Sequence, residues 1–211
     1  MDNSILRDLS LFFNLVIEFV MSNERKLQII KAAAKRFARH GLNKTTLDEV
    51  ARDIRIGKAT IYHYFTSKDD LYFATLKWEC ENFIAQVKTI LEKDSDSLTE
   101  KLKGYFGQKE IVSENNKLIN EAILTFFNDK SFDNEKEIII WLLTQEADLI
   151  KKFLTKHYTH RIKKTSSTFP NFIVINSWGM FFANKLNSLI EPSKSEETKL
   201  LYIESLETIL S

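Results

Sequence analysis

The side chains best suited to chemistry stand together in Gly57-Lys58-Ala59-Thr60-Ile61-Tyr62-His63-Tyr64-Phe65. The run opens with a lysine and two short residues and closes in aromatic rings. A helix that enters the major groove of DNA needs short side chains and one or two long donors at its N-terminal end. Ala59 and Thr60 have the size, the Ala59 methyl can meet a thymine methyl, and Lys58 can reach guanine acceptors. Tyr62, His63 and Tyr64 add polar groups on stiff rings, suited to phosphates or base edges. Thr46 and Lys68 stand at the starts of the flanking helices, where free backbone N–H groups favour a phosphate. Ile61 and Phe65 carry no polar group and are expected in the core. Tyr64 divides between core and phosphate contact. For Lys58 the plain alternative is a solvated lysine, and for His63 a pH-sensitive contact stands against a neutral packing or phosphate role.

Such a run needs elements that hold it. Thr46-Leu47-Asp48-Glu49 reads as a capping box, a hydroxyl at the cap with glutamate three residues on. A short helix follows, with Leu47, Val50, Ala51 and Ile54 on one face. Arg55-Ile56-Gly57 then connects it to the aromatic run. Two short helices joined in this way form a helix-turn-helix. Ile56 is expected to plug the angle between them. Upstream, residues 23–40 predict a helix whose core face is Leu27, Ile30, Ala34 and Phe37, ended by Gly41. Downstream, Ser67 can cap a helix carrying Asp69 and Asp70 in its first turn and running to about residue 92.

Composition sets the frame. Of 211 residues, 44% are hydrophobic and 28% charged, with five glycines and two prolines, which favours long helices over a turn-rich sheet fold. Cys80 is the one cysteine, so no disulfide can form within the chain, as suits a reducing cytoplasm. It is expected to be a small buried hydrophobe rather than a sensor. The net charge of +1 conceals a division: residues 24–77 hold 12 basic and 6 acidic side chains, and residues 78–211 hold 17 and 20. A basic segment joined to a larger acidic one points to a nucleic-acid module with a different partner domain. No stretch has the roughly 18 apolar residues needed to span a bilayer, and residues 9–20 lack the flanks of a signal peptide.

The remaining pattern is helical throughout, without repeats or low-complexity tracts. Residues 1–20 place Leu6, Leu9, Phe13, Val16, Ile17 and Val20 on one helical face; they read either as an extra amphipathic helix or as an extension upstream of a start at Met21. Ser97-Leu98-Thr99-Glu100 is a second capping box, and Gly104 and Gly107 are expected to weaken the end of its helix. Further helices are expected over 115–128, 135–160, from Pro170 to about 190, and from a cap at residues 193–196 to 210. Trp78, Phe83, Phe106, Phe126, Phe127, Trp141, Trp178 and Phe181 could line an apolar effector pocket, although at these spacings most are expected in the core. His157 and His160 have a spacing that can chelate a metal, but no acidic or cysteine partner accompanies them, so no metal site is assigned. No glycine-rich phosphate loop or Ser/His/Asp order supports an enzyme, and no cofactor is implied.

The capping box at Thr46, the turn, Lys58-Ala59-Thr60-Ile61-Tyr62-His63-Tyr64-Phe65 and Ser67-Lys68-Asp69-Asp70-Leu71 resemble the DNA-binding domain of the tetracycline-repressor (TetR) family over about residues 24–77. The resemblance implies an all-α fold: an N-terminal three-helix helix-turn-helix domain over 21–67, after the 1–20 extension, and a C-terminal helical ligand-binding and dimerisation domain over 68–211. It also implies a cytoplasmic homodimer, paired through the last two helices, that binds a palindromic operator in double-stranded DNA and responds to a small apolar or aromatic effector. Carried over, Lys58, Ala59 and Thr60 reach base edges, Tyr62, His63 and Tyr64 contact phosphates or bases, and Thr46 and Lys68 anchor phosphates. Arg55 stands where the family usually has glycine, Gly57 where it often has serine, and Ala59 where glycine is common. The alternative is a helical ligand-binding or protein-interaction module that no longer reads DNA.

Overall fold

Helix-forming sequence dominates the structure, a computed structural model that describes residues 3–94, 96–128, 132–162, 167–190 and 195–210, the side chains of 3–19, 127, 159–162, 184–190, 195, 196 and 210 excepted. Every regular element among the described residues is an α-helix, as expected: α1 (Asn3–His40), α2 (Leu47–Asp53), α3 (Lys58–Tyr64), α4 (Lys68–Glu92), α5 (Leu98–Glu110), α6 (Val112–Asn115), α7 (Lys117–Phe127), α8 (Asp133–Ile162), α9 (Phe169–Ile190) and α10 (Ser195–Leu210). The chain divides into two units, Met1–Trp78 and Glu79–Ser211. None of the described helices is long and apolar enough to cross a membrane.

In the first unit, the extension and the helix expected over 23–40 form one helix, α1. The apolar face expected from Leu6 to Ile17 lies outside the described side chains, and Val20 is exposed. Gly41 ends α1 at φ 75°, its N–H donating to Phe37 O at 2.8 Å, so the left-handed residue satisfies an orphan carbonyl. The buried face of α1 is Ile29, Ile30, Ala33 and Phe37. Leu27, expected on that face, is 37% exposed, because the face is turned by one residue toward Ile29 and Ala33. Leu47, Val50 and Ala51 of α2, Ile61 of α3, Phe65 and Leu71 complete this core. Phe37 meets the ring of Tyr72 edge-on at 5.5 Å. Arg36 pins α1 to α2 with a two-pronged hydrogen bond to Asp53 (2.8 and 3.2 Å) and an ion pair to Glu49 at 3.3 Å.

In the second unit, Gly104 lets α5 lie against α4, since a Cβ there would stand 2.9 Å from Ile90 Cγ2. Neither Gly104 nor Gly107 ends α5 early; it reaches Glu110 and closes with a turn at Ile111. The start of α7 has no side-chain cap of its own. Instead Glu79 of α4 brings its carboxylate to the start of α7, accepting the Ile119 N–H at 3.0 Å. α8 kinks at Tyr158 (φ −134°, ψ 30°). Pro170 falls in the first turn of α9, where its missing N–H leaves no bond unmade. Cys80 is fully buried.

Candidate nucleic-acid interface

The turn before α3 is fixed by the end of α2. Ile56 N–H reaches Ala51 O at 3.0 Å and Arg55 N–H reaches Arg52 O at 3.2 Å. Those two bonds make a Schellman motif with Arg55 at its left-handed position, φ 56°. An L side chain there is disfavoured by roughly 1 kcal/mol relative to glycine. Arg55 is exposed, and Ile56 is half-buried at the corner of the two helices. Gly57 takes the extended N-cap conformation of α3 (φ −68°, ψ 152°) and offers no side-chain cap.

This turn presents the first turn of α3. Lys58 and Ala59 are exposed and Thr60 is half-buried, while Ile61 is fully buried and Phe65 is 1% exposed. Lys58 Nζ lies 2.8 Å from Asp48 Oδ2 and 5.5 Å from the centre of the Tyr62 ring. The Asp48 carboxylate holds the Lys58 ammonium above the usual lysine range. Tyr62 is 45% exposed, His63 is exposed, and Tyr64 is half-buried with its ring edge-on to His63 at 5.1 Å. Ile61 and Phe65 are core, as expected, and Tyr64 falls between its two readings.

The flanking helix starts are built as the sequence predicts. Thr46 Oγ1 accepts the Glu49 N–H at 3.3 Å, and Glu49 Oε2 accepts the Thr46 N–H at 2.9 Å. The Thr46 N–H and the Thr46 hydroxyl (3.0 Å), both donating to Glu49 Oε2, hold the Glu49 carboxyl below its ordinary range, with Arg36 adding to them. Ser67 Oγ accepts the Asp70 N–H at 3.0 Å, and Asp70 Oδ2 accepts the Thr66 N–H at 2.9 Å. Lys68 follows as the first residue of α4, half-buried. Asp48 is the contributor that spacing did not disclose. It stands in the first turn of α2, ten residues from Lys58, and only the helix-turn-helix geometry brings the pair together.

The eight aromatic residues considered for an effector pocket do not line one open cavity. Phe83, Phe106, Trp178 and Phe181 are buried and close-packed, Phe126 is 36% exposed, Trp141 is half-buried, and the side chain of Phe127 lies outside the described residues. Trp78 is half-buried and belongs to the first unit. The physical reason is a charge inside the second unit: Lys109 Nζ sits 4.7, 4.7 and 4.3 Å from the ring centres of Phe83, Tyr105 and Trp178, and pairs with Glu146. The rings close on this lysine rather than on a void. A shallow cleft of about 440 Å³ lies elsewhere in the unit, on Leu91, Leu149 and Phe153, and includes His157. The side chain of His160 lies outside the described residues, and no metal-binding cluster occurs among the described ones.

Comparison with known proteins converges on the same segment. Residues 29–75 match the model of the bacterial regulatory proteins of the tetR family. The regulator HbdR of Aromatoleum sp. (strain CIB) is 38% identical over 69 residues, 33% of this chain and 30% of HbdR. The activator FasR of Mycolicibacterium smegmatis is 29% identical over 47% of each protein, so the match spans less than half the length of these relatives. IcaR of Staphylococcus aureus (strain Newman), a negative regulator of the biofilm operon icaADBC, is 27% identical over 81% of this chain and 91% of its own. Among solved structures, reduced NemR of E. coli superposes with TM-score 0.64 at 15% identity, covering 89% of this chain and 98% of NemR. A TetR regulator of Legionella pneumophila gives 0.61 at 17% identity over 85% and 95%. At such identities the structures speak for the fold, and the family match speaks for the helix-turn-helix. With a capped α2, a Schellman turn and an α3 whose first turn faces solvent, residues 29–75 form a helix-turn-helix of the kind that defines the tetR family of bacterial regulatory proteins.

Proposed function

We propose that the chain is a homodimeric transcriptional repressor that binds a palindromic operator through α3 and is released by a small effector bound in the second unit. The observation that carries this reading is the division of α3: Lys58 and Ala59 face solvent while Ile61 locks the helix to its core. Lys58, Ala59 and Thr60 read base edges; Tyr62, His63 and Tyr64 contact phosphates or bases; Thr46 and Lys68 anchor phosphates. The protein acts in the cytoplasm and catalyses nothing. Its domains are the helix-turn-helix over 21–67, after the 1–20 extension, and the effector and dimerisation domain over 68–211.

Dimerisation through α9 and α10 is supported by apolar side chains left exposed on the single chain. Phe172 (47%) and Ile175 (66%) lie one turn apart on α9, and Leu201 (62%) and Ile209 (47%) lie two turns apart on α10. Paired helices from two copies bury such stripes in a four-helix bundle. Two-fold symmetry then sets the two α3 helices on successive major grooves, about 34 Å apart. α4 is continuous from Lys68 to Phe83 and beyond, so a shift of α4 on effector binding changes that spacing and frees the DNA.

The test is a mobility-shift titration with DNA flanking the protein's own gene at several salt concentrations. Lys58→Ala lowers specific affinity more than non-specific affinity. Lys68→Ala weakens both and reduces the salt slope by about 1. Equal losses from the two substitutions, or no salt-dependent binding at all, reject the assignment.

A further inference from the structure

The second unit contains a fully buried ion pair in an apolar setting. The side chains of Lys109 and Glu146 are 1% and 0% exposed. Their surroundings are unequal. Glu146 Oε1 accepts the Tyr105 hydroxyl at 2.6 Å and Oε2 accepts the Trp178 Nε1–H at 2.9 Å, in addition to Lys109. Tyr105 is itself braced by Ser177 Oγ at 3.0 Å. The carboxylate would therefore keep two donors if the lysine left.

Lys109 has no such support. An ammonium carries three donors, and among the described residues it makes one hydrogen bond, to Glu146. Its remaining surface meets the faces of Phe83, Tyr105 and Trp178. Ring faces are the negative pole of an aromatic quadrupole, so they attract cations and repel anions. Three ring faces and a carboxylate braced by two neutral donors form a receptor for a cation with apolar substituents, and the lysine at its centre is the member held least.

We propose that Lys109 is an internal stand-in for the effector: the cage of Phe83, Tyr105, Trp178 and Glu146 takes a hydrophobic organic monocation, a quaternary ammonium or an aromatic amine, which displaces the lysine ammonium. An anionic ligand fits the same place poorly, because it would have to replace Glu146 against two hydrogen bonds and face three repelling rings. A void of about 10 Å³, room for about one water, is lined by Lys109 together with Phe106, Met180 and Phe181. The partly exposed Lys199–Glu110 pair, 3.1 Å apart, marks the side of the cage nearest solvent. Opening that pair gives Lys109 a path to water. This proposal rests on the effector-responsive reading above and names the chemical class of the effector.

Calorimetric titration of the full-length protein with benzyltrimethylammonium, beside its neutral isostere neopentylbenzene, tests it. The wild type binds the cation in preference to the isostere. Lys109→Met binds the cation about tenfold more tightly or better, because the tethered competitor is gone. Glu146→Gln loses the preference for charge. Should the single variants fail to fold, the uncharged pair Lys109→Met/Glu146→Gln serves, and it takes cation and isostere equally. Failure of the wild type to bind the cation overturns the proposal, as does a Glu146→Gln variant that binds it undiminished. The operator shift, run in parallel, separates the two readings. DNA binding without cation binding rejects the cage and leaves the regulator standing, whereas cation binding without DNA binding does the reverse.

Discussion

Asp48 and Lys58 join the first turns of α2 and α3 through an exposed ion pair 2.8 Å long, and Lys58 is the lysine proposed above to read a base. The other carboxylate oxygen of Asp48 is buried without a hydrogen-bond partner. On the proposed reading, the lysine that reads the base is parked in the free protein on an acid of the same DNA-facing surface.

Asp48→Asn is expected to strengthen binding to any duplex by about fivefold at low salt, the effect of roughly 1 kcal/mol between close charges in water. Stability changes little, because exposed pairs contribute about 0–1 kcal/mol. Anisotropy titrations with operator and scrambled DNA check both arms; unchanged affinity would show that Asp48 takes no part in the DNA-facing surface.

Arg55→Gly is expected to stabilise the first unit by about 1 kcal/mol, since it relieves a left-handed L residue while keeping both Schellman hydrogen bonds. Gly57→Ser adds a few tenths of a kcal/mol at most; an added Cβ there meets only Thr60 Oγ1, at 3.8 Å. Denaturant midpoints measure both. A loss of operator affinity in Arg55→Gly without loss of stability would assign the arginine to DNA instead.

Burial raises the Glu79 carboxyl to about 7, against the hydrogen bonds from the start of α7 and with help from Glu121. The folded state therefore holds this proton more tightly than the unfolded chain does. The contribution to stability is fully present below pH 4.5 and is lost as pH rises through about 7. Glu79→Gln keeps an acceptor for the Ile119 N–H and removes the titration. It should match the wild type at pH 4 and exceed it by as much as about 3 kcal/mol at pH 8, in urea melts at the two values. A constant difference between them rejects the linkage.

If the chain pairs through α9 and α10 as proposed, Ile175→Glu converts the dimer to a folded monomer, with operator affinity falling by at least about tenfold because two linked half-sites become one. Sedimentation and far-ultraviolet dichroism read the two properties separately. A dimer that survives the charge places the interface elsewhere.

Legibility followed the distance in sequence over which each signal acts. The capping boxes at Thr46 and Ser97, the left-handed end at Gly41, and the core roles of Ile61 and Phe65 depend on residues within one or two turns, and the structure has them all. Apolar periodicity located the helices but not their rotation, hence Leu27 in place of Ile29 and Ala33 on the assumed core face. The inside of the second unit was least legible. Lys109 and Glu146 are 37 residues apart and each looks like an ordinary surface residue of a charged helix. No spacing announces that three helices will fold Phe83, Tyr105 and Trp178 around one ammonium, so residues that read as pocket lining include two, Phe83 and Trp178, that enclose a side chain.

Cys80 lies at zero exposure in α4, between Glu79 and Phe83, and it is the chain's one thiol. A thiol so placed reacts with a maleimide only when the packing around it opens. The protein thus carries a native clock at a single known position: the rate of its alkylation times the breathing of α4, and any compound that slows that rate has tightened the second unit around itself.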